Sequence, residues 1–265
     1  MRAKKSLGQN FLRDEAVIAR IISSLHLTGK DTVIEIGPGL GALTGGLTLL
    51  AGRVIAIEFD RDMVAILATR FGQTENFELV NADALTVNFG DHLKSIESDK
   101  KAKLVANLPY NISTPILQRL IDQRQLFSEI ILMFQREVVD RIVAPAGGKE
   151  RGFLSVLVED AFTTELLFVV DPKAFQPIPK VFSAVVRLIP KPETQLDKAA
   201  FRRLVSSSFA QKRKTIFNNL RLVLKDATTV LADSGIDGKR RAETLTLDEW
   251  RFLTANVIKS AVNPN

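Results

Sequence analysis

The tetrapeptide Asn107-Leu108-Pro109-Tyr110 holds the only tyrosine of the chain and follows the lysine-flanked apolar run Leu104-Val105-Ala106. These residue types can work on a planar ring amine. Such an amine is a poor nucleophile because its lone pair is delocalised into the ring. Two acceptors, the Asn107 side-chain carbonyl and the Leu108 backbone carbonyl, would bind its hydrogens and draw the nitrogen toward tetrahedral geometry. Pro109 would fix the turn so that both acceptors point to one place, and Tyr110 would offer a face for the ring. Most of the rate would then come from positioning and electrostatics, with no histidine or cysteine required. The same four residues also read as a strand-ending turn in which Pro109 stops pairing and Tyr110 covers the sheet edge.

A second segment supplies an electrophile's site. Glu35-Ile-Gly-Pro-Gly-Leu-Gly-Ala42 follows the strand-like run Thr32–Ile36 and precedes a helix expected from about Gly41 to Leu50. Gly37 and Gly39 let the backbone turn tightly and approach a ligand. Glu58, at the end of the next apolar run, can accept both ribose hydroxyls of an adenosine cofactor. A dinucleotide enzyme would share these features, but the spacing is G-x-G-x-G, and an acidic Glu35 beside the turn suits a cation better than a pyrophosphate. Asp83, in Asn81-Ala-Asp-Ala-Leu85, can take an adenine amino group or cap a turn. The set favours the sulfonium cofactor S-adenosylmethionine over a nicotinamide dinucleotide.

The elements that must place these residues alternate in β/α fashion. Strands are expected at 32–36, 53–57, 77–80, 104–106 and 129–134, with helices near 62–70, 114–125 and 136–144. Short β-branched strands between amphipathic helices imply a parallel sheet covered on both faces. The runs 165–170 and 184–189, joined by the proline-rich stretch Phe175–Lys180, are expected as a closing hairpin. Past Pro190-Lys-Pro192, helices are expected at 198–209, 212–224 and 247–260. The fold class is therefore α/β with a small C-terminal all-α domain, divided as 1–190 and 191–265.

Charge separates the two parts. Residues 1–190 carry 22 basic and 22 acidic side chains, whereas residues 191–265 carry 14 and 8, the whole of the net +6. The basic cluster Arg202, Arg203, Lys212, Arg213, Lys214 and Arg221 reads as a footprint for RNA phosphates, or as a solvated helical face. With no cysteine, and with His26 and His92 far apart in sequence, neither disulfides nor a metal centre is expected. No apolar run is long enough for a membrane span, and Met1–Ser6 is followed by no apolar segment of a secretory signal. A cytoplasmic, monomeric protein is expected.

Together these motifs resemble the rRNA adenine N6,N6-dimethyltransferases. The resemblance is carried by Gly8-Gln-Asn-Phe-Leu12, Glu35–Gly39, Asn81-Ala-Asp83 and Asn107–Tyr110. Phe175-Gln-Pro-Ile-Pro-Lys-Val-Phe-Ser183, Phe209-Ala-Gln-Lys-Arg-Lys-Thr215 and Arg241-Ala-Glu243 carry it further, in order over residues 4 to 253. It implies a class I, Rossmann-like methyltransferase sheet of seven strands, the last inserted antiparallel. It implies that Asn10, Leu12, Gly37, Glu58, Asp83 and Asn107 line the S-adenosylmethionine site. On that chemistry Tyr110 would stack on a flipped target base, with Phe175 as a candidate for the opposite face or a core residue anchoring its loop. The basic helical C-terminal part resembles the small-subunit branch. That branch implies 16S rRNA within the small ribosomal subunit as substrate, at adjacent adenosines near its 3′ end. A ribosome-assembly factor with dispensable methylation and a large-subunit enzyme of the macrolide-resistance type stand as alternatives.

Overall fold

The computed structural model describes residues 9–94, 100–109 and 112–262. Tyr110 and Gly8 lie outside the described residues. Two compact units are present, Met1–Val139 with Thr163–Pro190, and Asp140–Phe162 with Lys191–Asn265. In chain order the first half runs β1 (Phe11–Leu12), α1 (Glu15–Ser24), β2 (Thr32–Ile36), α2 (Thr44–Leu50), β3 (Arg53–Glu58), α3 (Arg61–Phe71), β4 (Phe77–Asn81) and α4 (Phe89–His92). It continues with β5 (Ala102–Asn107), α5 (Ser113–Asp122), β6 (Phe127–Gln135), α6 (Arg136–Ile142) and α7 (Phe153–Ala161). Then come β7 (Phe162–Val170), β8 (Phe175–Gln176), β9 (Ser183–Pro190), α8 (Lys198–Ser208), α9 (Ile216–Leu220), α10 (Ala227–Asp233) and α11 (Leu247–Val262).

The main sheet of the first unit has the order β4-β3-β2-β5-β6-β9-β7. Strands β4, β3, β2, β5 and β6 are parallel, and β9 is antiparallel to β6. The last strand in the chain thus sits between two earlier ones, as the resemblance implied. Strands β2, β3 and β5 are apolar almost throughout because helices cover both their faces. Parallel strands joined by crossover helices end on one edge of the sheet. The register makes that edge explicit: Ile36 is level with Ile57 and with Ala106, and Glu58 is level with Asn81. Gly37, Glu58, Asp83 and Asn107 therefore gather at one end.

The N-terminal arm is tied to that end. Phe11 pairs with Gln176 and Leu12 with Phe175, and Arg13 N–H donates to the Ala174 carbonyl at 2.8 Å. Leu12 is buried on the core with Ile21, Ile22, Leu43 and Leu47. Asp14 caps α1 by accepting from Ala16 N–H and Val17 N–H. At the other end of α1, cations meet the last carbonyls, as the helix dipole favours. Lys103 Nζ donates to Leu25 O at 2.7 Å and His26 O at 3.0 Å, and Arg187 Nη2 donates to Ser24 O at 2.7 Å. Arg187 also binds Glu129 and Glu165. His26 lies just past α1, and His92 ends α4.

The second unit differs from the expected division at residue 190. Asp140–Phe162 belongs with the C-terminal helices. The reason is local: the Arg151 side chain is fully buried, and it donates to Glu159 Oε2 at 2.6 Å, Ala144 O at 3.0 Å and Leu245 O at 3.3 Å. Arg251 binds Asp160 in the same way. Trp250 is fully buried, its ring stacked on Phe209 with centroids 6.0 Å apart. The helix expected over 212–224 is only α9. Asn219 turns back on Gln211, its Oδ1 accepting Gln211 N–H at 3.1 Å, and Thr215 caps Ile216–Leu220. Residues 212–214 are consequently a turn, and α10 follows where no helix was expected.

Candidate active site

A cavity opens at the carboxyl edge of the parallel strands. Its walls include Asn10, Leu12, Gly37, Gly39, Glu58, Asp83 and Asn107, every residue expected for the cofactor, together with Leu108, Pro109 and Phe175. Each wall has a backbone reason to be there. Gly37, Gly39 and Gly41 have φ of 66°, 57° and 80°, so the G-x-G-x-G spacing alternates left-handed residues that other L-residues rarely adopt. The turn also leaves little room at Gly41, where a Cβ would stand 2.6 Å from the Phe71 ring. Helix α2 starts at Thr44, not at Gly41, because these left-handed residues hold the chain in turns before it.

Glu58 ties the turn to the next strand end. Its Oε2 accepts Gly39 N–H at 3.0 Å and its Oε1 accepts Asp60 N–H at 2.8 Å. Burial raises its pKa, against the N–H bonds from Asp60, Gly39 and Phe59, while the Asp60 charge adds to the rise. A carboxylate has roughly four lone-pair sites, so these bonds leave acceptor capacity for a ligand hydroxyl. Asn81 braces the same place, its Nδ2 donating to Glu58 O at 2.8 Å. Glu35 lies deeper, 2% exposed, and accepts from Thr44 Oγ1–H at 2.6 Å. Burial pushes the Glu35 carboxyl up to about 7, opposed by the Thr44 bond and assisted by the Glu58 charge. A cationic group in the cavity would favour its ionised form.

Asp83 does part of the turn work weighed for it: its Oδ1 accepts Leu85 N–H at 2.8 Å, and its backbone carbonyl accepts from Thr86 and Val87. It stands on the cavity wall at the same time. Asn107 is half-buried at the end of β5, and its side-chain amide makes no hydrogen bond among the described residues. Its backbone oxygen lies 4.0 Å from where a Gly37 Cβ would be. Glycine turn and tetrapeptide thus face each other directly. Pro109 O accepts Ile112 N–H at 3.2 Å, leading into α5. Phe175 is 3% exposed and packed with Leu12 and Ala174. That burial favours the loop-anchoring alternative over base stacking, since little of the ring face is open.

Sequence reading did not single out Asp60 or Phe59 on the wall. Asp60 caps α3 and accepts from Gln9 Nε2 at 2.9 Å, which brings the arm to the Glu58 corner. The signal was available as an acidic residue just before an amphipathic helix. Phe59 is 60% exposed at the cavity mouth, and no pattern marked it. In the second unit, Arg203, Lys212, Arg213, Lys214 and Arg221 are exposed and Arg202 is half-buried. They lie on α8, on the turn after it and at the end of α9.

With the geometry in hand, similarity to known proteins is informative. The family described as "Ribosomal RNA adenine dimethylase" matches residues 1–259. The chain is 42% identical over 262 residues to "Ribosomal RNA small subunit methyltransferase A" of Geobacter metallireducens, covering 96% of this chain and 95% of that one. It is likewise 42% identical to the protein of that name from Nitrosococcus oceani, with coverage of 98% and 97%. Among solved structures it resembles a dimethyladenosine transferase from Plasmodium falciparum, with TM-score 0.77, 25% identity and coverage of 95% and 98%. It also resembles the 23S rRNA methyltransferase ErmE, with TM-score 0.69, 27% identity and coverage of 94% and 100%.

The buried Glu35 gives a stability test. A carboxyl whose pKa rises on folding holds its proton more tightly in the folded state. Its contribution is fully present below the ordinary 4.5 and is lost as pH climbs through about 7. Glu35→Gln keeps the acceptor for Thr44 and removes the titration. The variant should melt near wild type at pH 4.5 and increasingly above it toward pH 8, with a limiting gain of about 3 kcal/mol. Thermal melts across that range read the difference directly; a constant offset would contradict the assignment.

Proposed function

The chain belongs to the ribosomal RNA adenine dimethylase family, and from that premise we propose how its cavity performs the reaction. The protein is an S-adenosylmethionine-dependent methyltransferase that modifies the N6 amine of rRNA adenosines. Small-subunit rRNA is the substrate we assign, since two relatives named for that subunit are each 42% identical. The solved large-subunit enzyme stands at 27%. We place the reaction on the assembling small subunit, in the cytoplasm, by a monomer.

The donor set suits the cofactor. Glu58 keeps acceptor capacity for the ribose hydroxyls, and the Asp83 carboxylate stands at the next strand end for the adenine amine. The glycine turn leaves the space a side chain would fill, and Glu35 offers negative charge to a cation. Asn10 and Leu12 close the cavity from the arm. S-adenosylmethionine supplies a methyl group made electrophilic by its sulfonium.

The observation that carries the mechanism is the Asn107 amide, half-buried on the wall opposite Gly37 with no partner among the described residues. In our reading its Oδ1 and the Leu108 carbonyl accept the two hydrogens of the target amine and aim the nitrogen lone pair into the cavity. Pro109 fixes the two acceptors relative to each other. Tyr110, outside the described residues, would stack on the flipped base, a contact worth about 1–3 kcal/mol. Rate enhancement then rests on position and electrostatics.

In the second unit, the exposed cations on α8 and the turn after it would grip rRNA phosphates, with strong salt dependence and little base reading. We assign the 191–265 helices this role together with 140–162, and the sheet unit the chemistry.

Two experiments follow. Asn107→Ala should cut kcat for methyl transfer by about 10²–10³-fold, with RNA affinity unchanged in a filter-binding assay; undiminished turnover would end this mechanism. Lys212→Glu with Lys214→Glu should weaken subunit binding and lower the slope of log affinity against log salt by about 2. A slope equal to wild type would make the segment an ordinary solvated surface.

A further inference from the structure

The proline-rich loop between β8 and β9 leaves apolar side chains in water. Ile178 is 66% exposed, Val181 42% and Phe182 51%, with Lys180 exposed among them. Both ends of the loop are fixed. Phe175 pairs with Leu12 on the cavity wall, while the Phe182 carbonyl accepts Arg136 N–H at 2.9 Å. Ser183 then enters β9 level with Gln135. Pro177 and Pro179 restrict the backbone between these anchors. Exposed apolar groups on a segment held this way mark a contact surface.

The register locates the surface. Asn107 is level with Met133 on β6, and Gln135 lies two residues farther toward the same sheet end. Phe182 therefore projects past the edge that carries Asn107, two strands away. With strand spacings of about 4.8 Å and a rise of about 3.3 Å per residue, the two backbones are roughly 14 Å apart. Phe182 thus stands outside the cofactor cavity but within reach of RNA whose base occupies it.

Resting on the substrate reading above, we propose that Phe182 is a substrate-positioning residue that stacks on an unpaired nucleobase flanking the target adenosine. Extruding the target leaves its neighbours without a stacking partner. A fixed aromatic face restores one and accepts any base. Ile178 and Val181 extend the apolar ledge, and the Lys180 ammonium faces the phosphates that such a base brings with it. A lysine beside an aromatic ring on a proline-stiffened loop suits a nucleic acid better than an apolar protein surface.

The test uses the full-length protein and small ribosomal subunits lacking adenine dimethylation. Phe182→Ala should raise KM for subunits about five- to a hundredfold, the range expected for one lost stacking contact, with kcat nearly unchanged. Phe182→Tyr should restore KM. The melting shift produced by S-adenosylmethionine should match wild type, showing an intact cavity. A benzoylphenylalanine placed at position 182 should crosslink on irradiation to rRNA a few nucleotides from the methylated adenosine. Crosslinks to a ribosomal protein, to a second copy of the chain or to distant rRNA would overturn the proposal, as would an unchanged KM in Phe182→Ala. If wild type methylates no subunit at all, the substrate reading fails first and this inference with it.

Discussion

Glu58 holds two turns of the chain at once, accepting Gly39 N–H on one oxygen and Asp60 N–H on the other. Each bond fixes something the chemistry needs. The first pins the left-handed glycine turn against the end of β3, and the second starts α3 at its Asp60 cap. Asn81 ties the end of β4 to the same corner, and Gln9 brings the N-terminal arm to Asp60. Burying a carboxylate is costly unless it is hydrogen-bonded. Here the backbone donors offset that cost and leave acceptor capacity on the carboxylate, so the group that organises the corner can also bind a ligand.

The sheet does the rest by register. A parallel order β4-β3-β2-β5 brings the ends of successive strands to one edge, so a carboxylate on β3 and an amide on β5 face the turn between β2 and α2. The arm adds a lid from outside the sheet, held by its ribbon with β8 and by cations at the far end of α1. Chemistry by position requires this kind of over-determination, since small misplacements of the acceptors would lose most of the rate. The proposed mechanism assigns no acid or base to the amine, and the buried Glu35 is engaged by Thr44 at the start of α2.

What the sequence made legible was whatever depends on local pattern. The apolar runs of β2, β3, β5 and β6 are buried on both faces and read as strands without help, and the glycine spacing follows from alternate left-handed residues. Asn10 and Leu12 were visible only through family resemblance, because the arm is placed by pairing of Phe11 and Leu12 with residues more than 160 positions away. Long-range burial escaped the reading too. Arg151 looks like a surface cation, yet it is enclosed, and it draws 140–162 into the helical unit. Phe175 was open between core and contact until its 3% exposure favoured the core. Residues 212–214 carry a helical composition, but Asn219 and Thr215 offer side-chain bonds that compete with the helix and make a turn.

The most direct measurement is transfer of labelled methyl groups from S-adenosylmethionine to small ribosomal subunits lacking adenine dimethylation, with large subunits alongside and the product nucleosides identified by mass. The account predicts N6,N6-dimethyladenosine in the small-subunit rRNA and none in the large. Label confined to the large subunit, or absent from both while the cofactor binds, would contradict it.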